Sequence, residues 1–201
     1  MVGDKINGVR YRAFRVREAD LPEEVKVWDK KIEQYRSRLK EFMRKYDIAY
    51  CFFTPYGQVK KVAISEPVLR KWCQYVKPHP IEVHGKTVYI VEPNAKLKAG
   101  QTFIAELAEL NSFSVTNRHK QKAVLDYYKL EYFMWWKKMR IETEVHKIGD
   151  CWYVKSPSTI TTGGAVGWGI PDDYTAKDGL EEITLDEYLS SVSAVGRGQA
   201  Q

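Results

Sequence analysis

DLPEEVKVWDKKIEQYRSRLKEFMRKY, residues 20–46, sets Val25, Trp28, Ile32, Tyr35, Leu39, Phe42 and Tyr46 at alternating steps of three and four. That spacing lays one narrow apolar stripe along a helix. Asp20 stands three residues before Glu23, the spacing of a capping box, and Pro22 is tolerated in a first turn whose amides lack intrahelical acceptors. A stripe of about three heptads predicts a helix packed on its own domain's sheet or helices rather than an intermolecular coiled coil.

Working outward, Gly8 to Glu18 reads as a strand. Val9, Tyr11 and Ala13 alternate with arginines, and Phe14 and Val16 then continue in the opposite phase. Such a slip predicts a bulge or bend. Arg10, Arg12, Arg15 and Arg17 would form a phosphate-binding ladder if they faced outward together. The apolar run Ile48–Phe53 predicts a central buried strand. It turns through Thr54-Pro55-Tyr56-Gly57 into an antiparallel partner over Val59–Ile64. Ser65 caps a short helix. Ile81–His84 and Thr87–Glu92 form a second hairpin across Gly85-Lys86, and Glu142–Ile148 with Cys151–Lys155 a third across Gly149-Asp150. A helix runs from Thr102 to Leu110, and a second long one is expected from Thr116 to Arg140, apolar nearly all round between Tyr127 and Trp136.

After Lys155 the composition changes. Ser156 to Gly169 is rich in Ser, Thr and Gly, and Thr184 with Glu187 forms a capping box for a last short helix carrying Leu185, Tyr188, Leu189 and Val192. The expected fold is therefore α+β: an antiparallel sheet built from hairpins, two long helices packed on it, and a C-terminal extended arm ending in a short helix. Composition divides it into a basic domain over 1–155 and an acidic arm over 156–201.

Charge sharpens that division. Residues 1–155 hold 30 Lys and Arg against 19 Asp and Glu, a balance of +11, while 156–201 hold 2 against 7, a balance of −5. A basic body attracts polyanions, chiefly nucleic acid, and an acidic tail can fold back over that surface or serve another partner. Aromatic residues make up 13% of the chain, with 13 Tyr and 6 Trp, a share that suits interfaces and base stacking as well as cores. The odd cysteines Cys51, Cys73 and Cys151 lie in apolar contexts and predict buried reduced thiols and an intracellular setting rather than a disulfide framework. No run approaches membrane-spanning length, so no membrane is expected.

Most candidate motifs fail on their own spacing. Gly85-Lys86-Thr87 lacks the upstream glycine and the following helix of a phosphate loop. His79, His84 and Cys73 lack the close ligand pairs of a zinc site, so neither metal nor cofactor is expected. Tyr128 and Tyr132, one turn apart, have no accompanying metal motif for strand transfer and read as packed side chains. What remains is basic residues interleaved with aromatics: Arg118, Lys120 and Lys122 at one end of the expected long helix, Trp135, Trp136, Lys137, Lys138 and Arg140 at the other, and the arginine strand. This pattern points to a non-enzymatic nucleic-acid-binding protein, with the acidic arm for regulation or partner docking. The alternative is a structural subunit of a virion or other assembly. Its aromatic helix and its arm, through Leu185, Tyr188, Leu189 and Val192, would dock onto protein partners or further copies.

Overall fold

A computed structural model describes the chain except for residues 1–4, 7–8, 73–78, 94–99, 131–132, 135–138, 141–142, 159, 163–164, 168, 172 and 199–201. The fold is α+β. In chain order its strands and helices are β1 (Lys5–Ile6), β2 (Val9–Arg17), α1 (Glu23–Lys45), β3 (Ile48–Phe53), β4 (Val59–Ile64), α2 (Glu66–Trp72), β5 (His79–Val83), β6 (Lys86–Val91), α3 (Gly100–Ser112) and α4 (Asn117–Tyr127). There follow β7 (Phe133–Met134), β8 (Met139–Arg140), β9 (Glu144–Ile148), β10 (Cys151–Pro157), β11 (Ile160–Thr162), β12 (Ala165–Gly167), β13 (Glu181–Ile183) and α5 (Leu185–Gly198). Packing divides the chain into two units, residues 1–26 with 121–201, and residues 27–120. The charge-based division at 155 is not a packing boundary, because the acidic segment belongs wholly to the first unit.

In the first unit β2 is the central strand. It pairs antiparallel with β10 along one edge, from Arg17 opposite Cys151 to Tyr11 opposite Pro157, and with β1 and β13 along the other. The β2–β10 register runs without interruption, so the phase slip at Ala13-Phe14 is not a bulge. Both faces are covered instead. Phe14 and Val16 join a core with Val25, Val124, Tyr128, Trp152 and Val154, while Ala13 faces Ile183, Leu185 and Tyr188 on the opposite side. An alternating sequence that buries each face over a different length looks from the sequence like a change of phase.

The long helix expected to Arg140 ends at Tyr127. Lys129 takes a left-handed φ of 54°. Its N–H bonds the Asp126 carbonyl (3.2 Å) while the Leu130 N–H reaches back to Leu125 (2.9 Å). These are the two bonds of a Schellman cap, made here without glycine, and Leu130 after it is fully buried. Beyond it the described residues include β7, which pairs antiparallel with β8.

The second unit is a four-stranded antiparallel sheet in the order β3-β4-β6-β5. The apolar stripe of α1 does what its spacing predicts. Ile32, Tyr35 and Phe42 are buried in one core with Val62 and Ile64 of β4 and Phe103, Leu107 and Leu110 of α3. Asp20 does not cap α1; its carboxylate accepts from Arg17 at 2.6 Å. The β3–β4 turn forms where expected, with Gly57 at φ 80°. The second hairpin turns one residue earlier than the sequence suggests, through His84 (φ 50°) and Gly85 (φ 73°). Most consequential, β3 is an edge strand. Cys51 is 1% exposed, but Tyr50 is 51% and Phe53 45% exposed. Among the described residues no helix is long and apolar enough to cross a membrane.

Two substitutions test this backbone reading. A Cβ on Gly57 would lie 2.6 Å from Thr116 Cγ2 at a φ that disfavours side chains, so Gly57→Ala is expected to cost about 2 kcal/mol. Lys129→Gly relieves left-handed strain and should stabilise the chain by about 0.5–1 kcal/mol. Urea-unfolding midpoints of the two variants should therefore move in opposite directions from wild type.

Candidate nucleic-acid interface

Several of the described residues expected to bind phosphate are engaged within their own units. Arg12 is drawn into the first unit by its surroundings. Its Nε and Nη2 donate to the two carboxylate oxygens of Glu182 at 2.8 Å each, and the guanidinium also reaches the carbonyls of Pro171 (2.9 Å) and Tyr174 (3.0 Å). The Phe14 and Tyr174 rings lie beside it, and its side chain is only 13% exposed. Arg15 bridges Glu181 (2.8 Å) and Glu187 (2.9 Å), the first of which raises its pKa further. Arg17 holds Asp20. Arg10 is half-buried, and its carbonyl accepts the Ser158 amide at 2.8 Å. Alternation puts Arg10 and Arg12 on one face of β2 and Arg15 and Arg17 on the other. The acidic segment has thus folded back onto the arginine strand, and Arg12 and Arg15 are already occupied by Glu181, Glu182 and Glu187.

The basic start of α4 is also divided. Arg118 is exposed, whereas Lys120 is buried with its ammonium on both Asp29 oxygens (2.8 and 2.7 Å). Between them His119 stacks on Trp28, whose other neighbour is the Lys31 ammonium at 4.3 Å. Lys122 is exposed and paired with Asp126 at 3.2 Å. Trp135, Trp136, Lys137 and Lys138 lie outside the described residues, as do Cys73 and Tyr132, and Arg140 is described only as backbone of β8. Tyr128 is fully buried, with its hydroxyl donating to the Asp178 carbonyl at 2.8 Å.

The expected docking face of α5 is mostly spent inside its own unit. Leu185 and Tyr188 are buried, Val192 packs beside them, and Leu189 alone of the four is exposed, at 41%. The helix begins as its sequence predicts, with the Glu187 N–H on Thr184 Oγ1 at 3.1 Å; the Glu187 carboxylate goes to Arg15 rather than back to the cap.

A different surface emerges on the second unit. Cys51 and Val62 point into the core, so their neighbours Tyr50, Phe52, Lys61 and Ala63 share the opposite face of the sheet. Tyr50 and Phe52 meet edge to face at 5.2 Å, and Lys61 stands directly across from Phe52. Val27, Tyr50, Phe53, Tyr56 and Phe113, five of the seven exposed large apolar side chains among the described residues, lie in this unit. The sequence carried a clue to it: Lys60-Lys61 in β4 is incompatible with a hairpin buried on both faces. The strongly shifted groups nearby are inert ones. Burial pushes Cys51 up to about 11 and Tyr35 up to about 12, the reverse of an activated nucleophile.

The arm's clasp has a definite pH dependence. The hydrogen bond from Arg12 holds Glu182 below the usual carboxylate range. Its contribution is therefore complete above the unfolded carboxyl's pKa of about 4.3 and is lost as pH falls through the lower folded value. Arg12→Ala, which strands Glu182 and two carbonyls, should cost about 2–3 kcal/mol at neutral pH. It should also flatten the decline of thermal stability below about pH 4.3, measured by circular dichroism melts across pH.

Comparison of the chain with protein-family models, with curated proteins and with solved structures finds no match.

Proposed function

We propose that this is a non-enzymatic nucleic-acid-binding protein whose polyanion surface belongs to the unit Val27–Lys120. One observation carries the reading. That unit holds 17 Lys and Arg against 9 Asp and Glu, a balance of +8, while the other holds 15 against 17, a balance of −2. Packing therefore gathers the net positive charge into this unit and leaves the other close to neutral. Glu182, Glu181 and Glu187 of the acidic segment engage Arg12 and Arg15, so those two arginines are withdrawn from the proposed surface. The unpaired cations and exposed rings of the second unit are what remain for phosphates and bases.

A second reading, a subunit of a larger assembly docking through its arm, rests on α5. Its apolar stripe through Leu185, Tyr188 and Val192 continues to Val195, which is 41% exposed. Under that reading the full chain forms a defined oligomer or captures a partner through the end of α5, and Val195→Asp abolishes it.

The test of the first reading is fluorescence anisotropy of labelled DNA and RNA with the full chain at several salt concentrations. Affinity should fall linearly with salt on a double logarithmic plot, with a slope of about −0.7 to −0.9 per phosphate neutralised. Absence of binding at low salt would overturn it.

A further inference from the structure

The outer face of the β3-β4-β6-β5 sheet has a composition that neither a solvated face nor a packed one requires. A solvated face would be polar throughout, and a packed one would not place lysine opposite phenylalanine. Here Tyr50 lies across from Ala63, which lies across from Ile90; Phe52 lies across from Lys61. Ala63, paired with Tyr50 on one side and Ile90 on the other, is fully buried. The result is a shallow apolar floor with a half-exposed ring at one margin. Lys61 holds Glu92 at 3.3 Å, with side chains 40% and 66% exposed. An ion pair that open to water is worth little and exchanges readily for a phosphate. Lys60 beside it is exposed, and so is Lys86 at the β5–β6 turn. Tyr56, 67% exposed, stands in the turn joining β3 to β4.

We infer that this face binds single-stranded nucleic acid, with bases stacking on Tyr50 and Phe52 and phosphates on Lys60 and Lys61. The inference rests on the nucleic-acid reading above and names its site and its partner class. Charge complementarity selects a polyanion for a unit with a balance of +8. The rings select a single strand, because a duplex hides the faces of its bases and offers nothing to stack on. Stacking is tolerant of base identity, so little sequence preference is expected. Tyr50 and Phe52 meet edge to face, so their planes diverge and successive bases would be splayed rather than continuously stacked.

The experiment compares a labelled oligothymidylate, which lacks secondary structure, with a duplex of equal length, using the full chain and three variants. Wild type should bind the single strand at least tenfold more tightly. Tyr50→Ala with Phe52→Ala should weaken single-strand binding about tenfold or more while leaving duplex binding unchanged, and Tyr50→Phe should retain it. Lys60→Gln with Lys61→Gln should reduce the magnitude of the salt slope by about 1–2. Equal binding of both nucleic acids, unaffected by the ring variants, would overturn this inference and leave the basic-unit reading standing. No binding of either would overturn both. If the ring variants fail to fold, the lysine pair decides: an unchanged salt slope overturns the site.

Discussion

A strand bearing four arginines lies at the centre of a sheet covered on both faces, and the first unit is arranged around neutralising it. A guanidinium shielded from water without a partner is strongly destabilising, whereas one in a fork of carboxylate and carbonyl oxygens is tolerated. Arg12 has that fork, from Glu182, Pro171 and Tyr174. Supplying it demands that the chain return 170 residues later with a carboxylate in register. β13 does this by pairing Glu182 opposite Phe14. The acidity of the segment after residue 155 is thereby a folding requirement of β2.

That requirement also fixes where positive charge is left over. Because the arm's carboxylates go to β2, they cannot offset the lysines and arginines of residues 27–120, and the excess collects there. Cations of that unit find partners whether shielded or exposed, as Lys61 does with Glu92 and Arg70 with Glu66. Lys120 takes Asp29; Lys45 with Tyr46 takes Glu106, whose carboxyl the Lys45 hydrogen bond pulls down. The solvent-facing lysines of β4 and the β5–β6 turn are where the excess remains open to water.

Periodicity made the long helix legible, and turn chemistry the hairpins. The stripe on α1 predicted its buried side residue by residue because nothing but burial on one face produces a run of threes and fours. Glycines at 57, 85 and 149 marked turns because each adopts a positive φ there. Two things were not legible, for one reason: tertiary cover is decided by other parts of the chain. The end of α4 has no glycine or proline, since burial of Leu130 drives Lys129 into the left-handed region; the aromatic density beyond it read as more helix. The arginine strand read as a ladder because its carboxylate partners are distant in sequence. Among the described candidates for phosphate binding, Arg118 is exposed with no ion pair to a described residue, while the run holding Tyr50 and Phe52 predicts a core strand.

The apolar run of β3 shows why that assignment fails. Ile48–Phe53 has the hydrophobicity of a strand buried on both sides, yet it lies at the margin of the sheet with Tyr50 half-exposed. A flat apolar edge invites pairing with other chains. Here the β3–β4 register shifts twice, between Ile48 and Tyr50 and between Phe52 and Phe53, with Ala49 and Lys60 left out of the pairing. Such bulges bend and twist the strand, which spoils its backbone as a template for strand addition. With the edge blunted, what this strand offers to solvent is the faces of its rings and the lysines across from them. A ligand of this sheet therefore meets side chains rather than main-chain hydrogen-bonding groups, and that favours one recognised by stacking and charge.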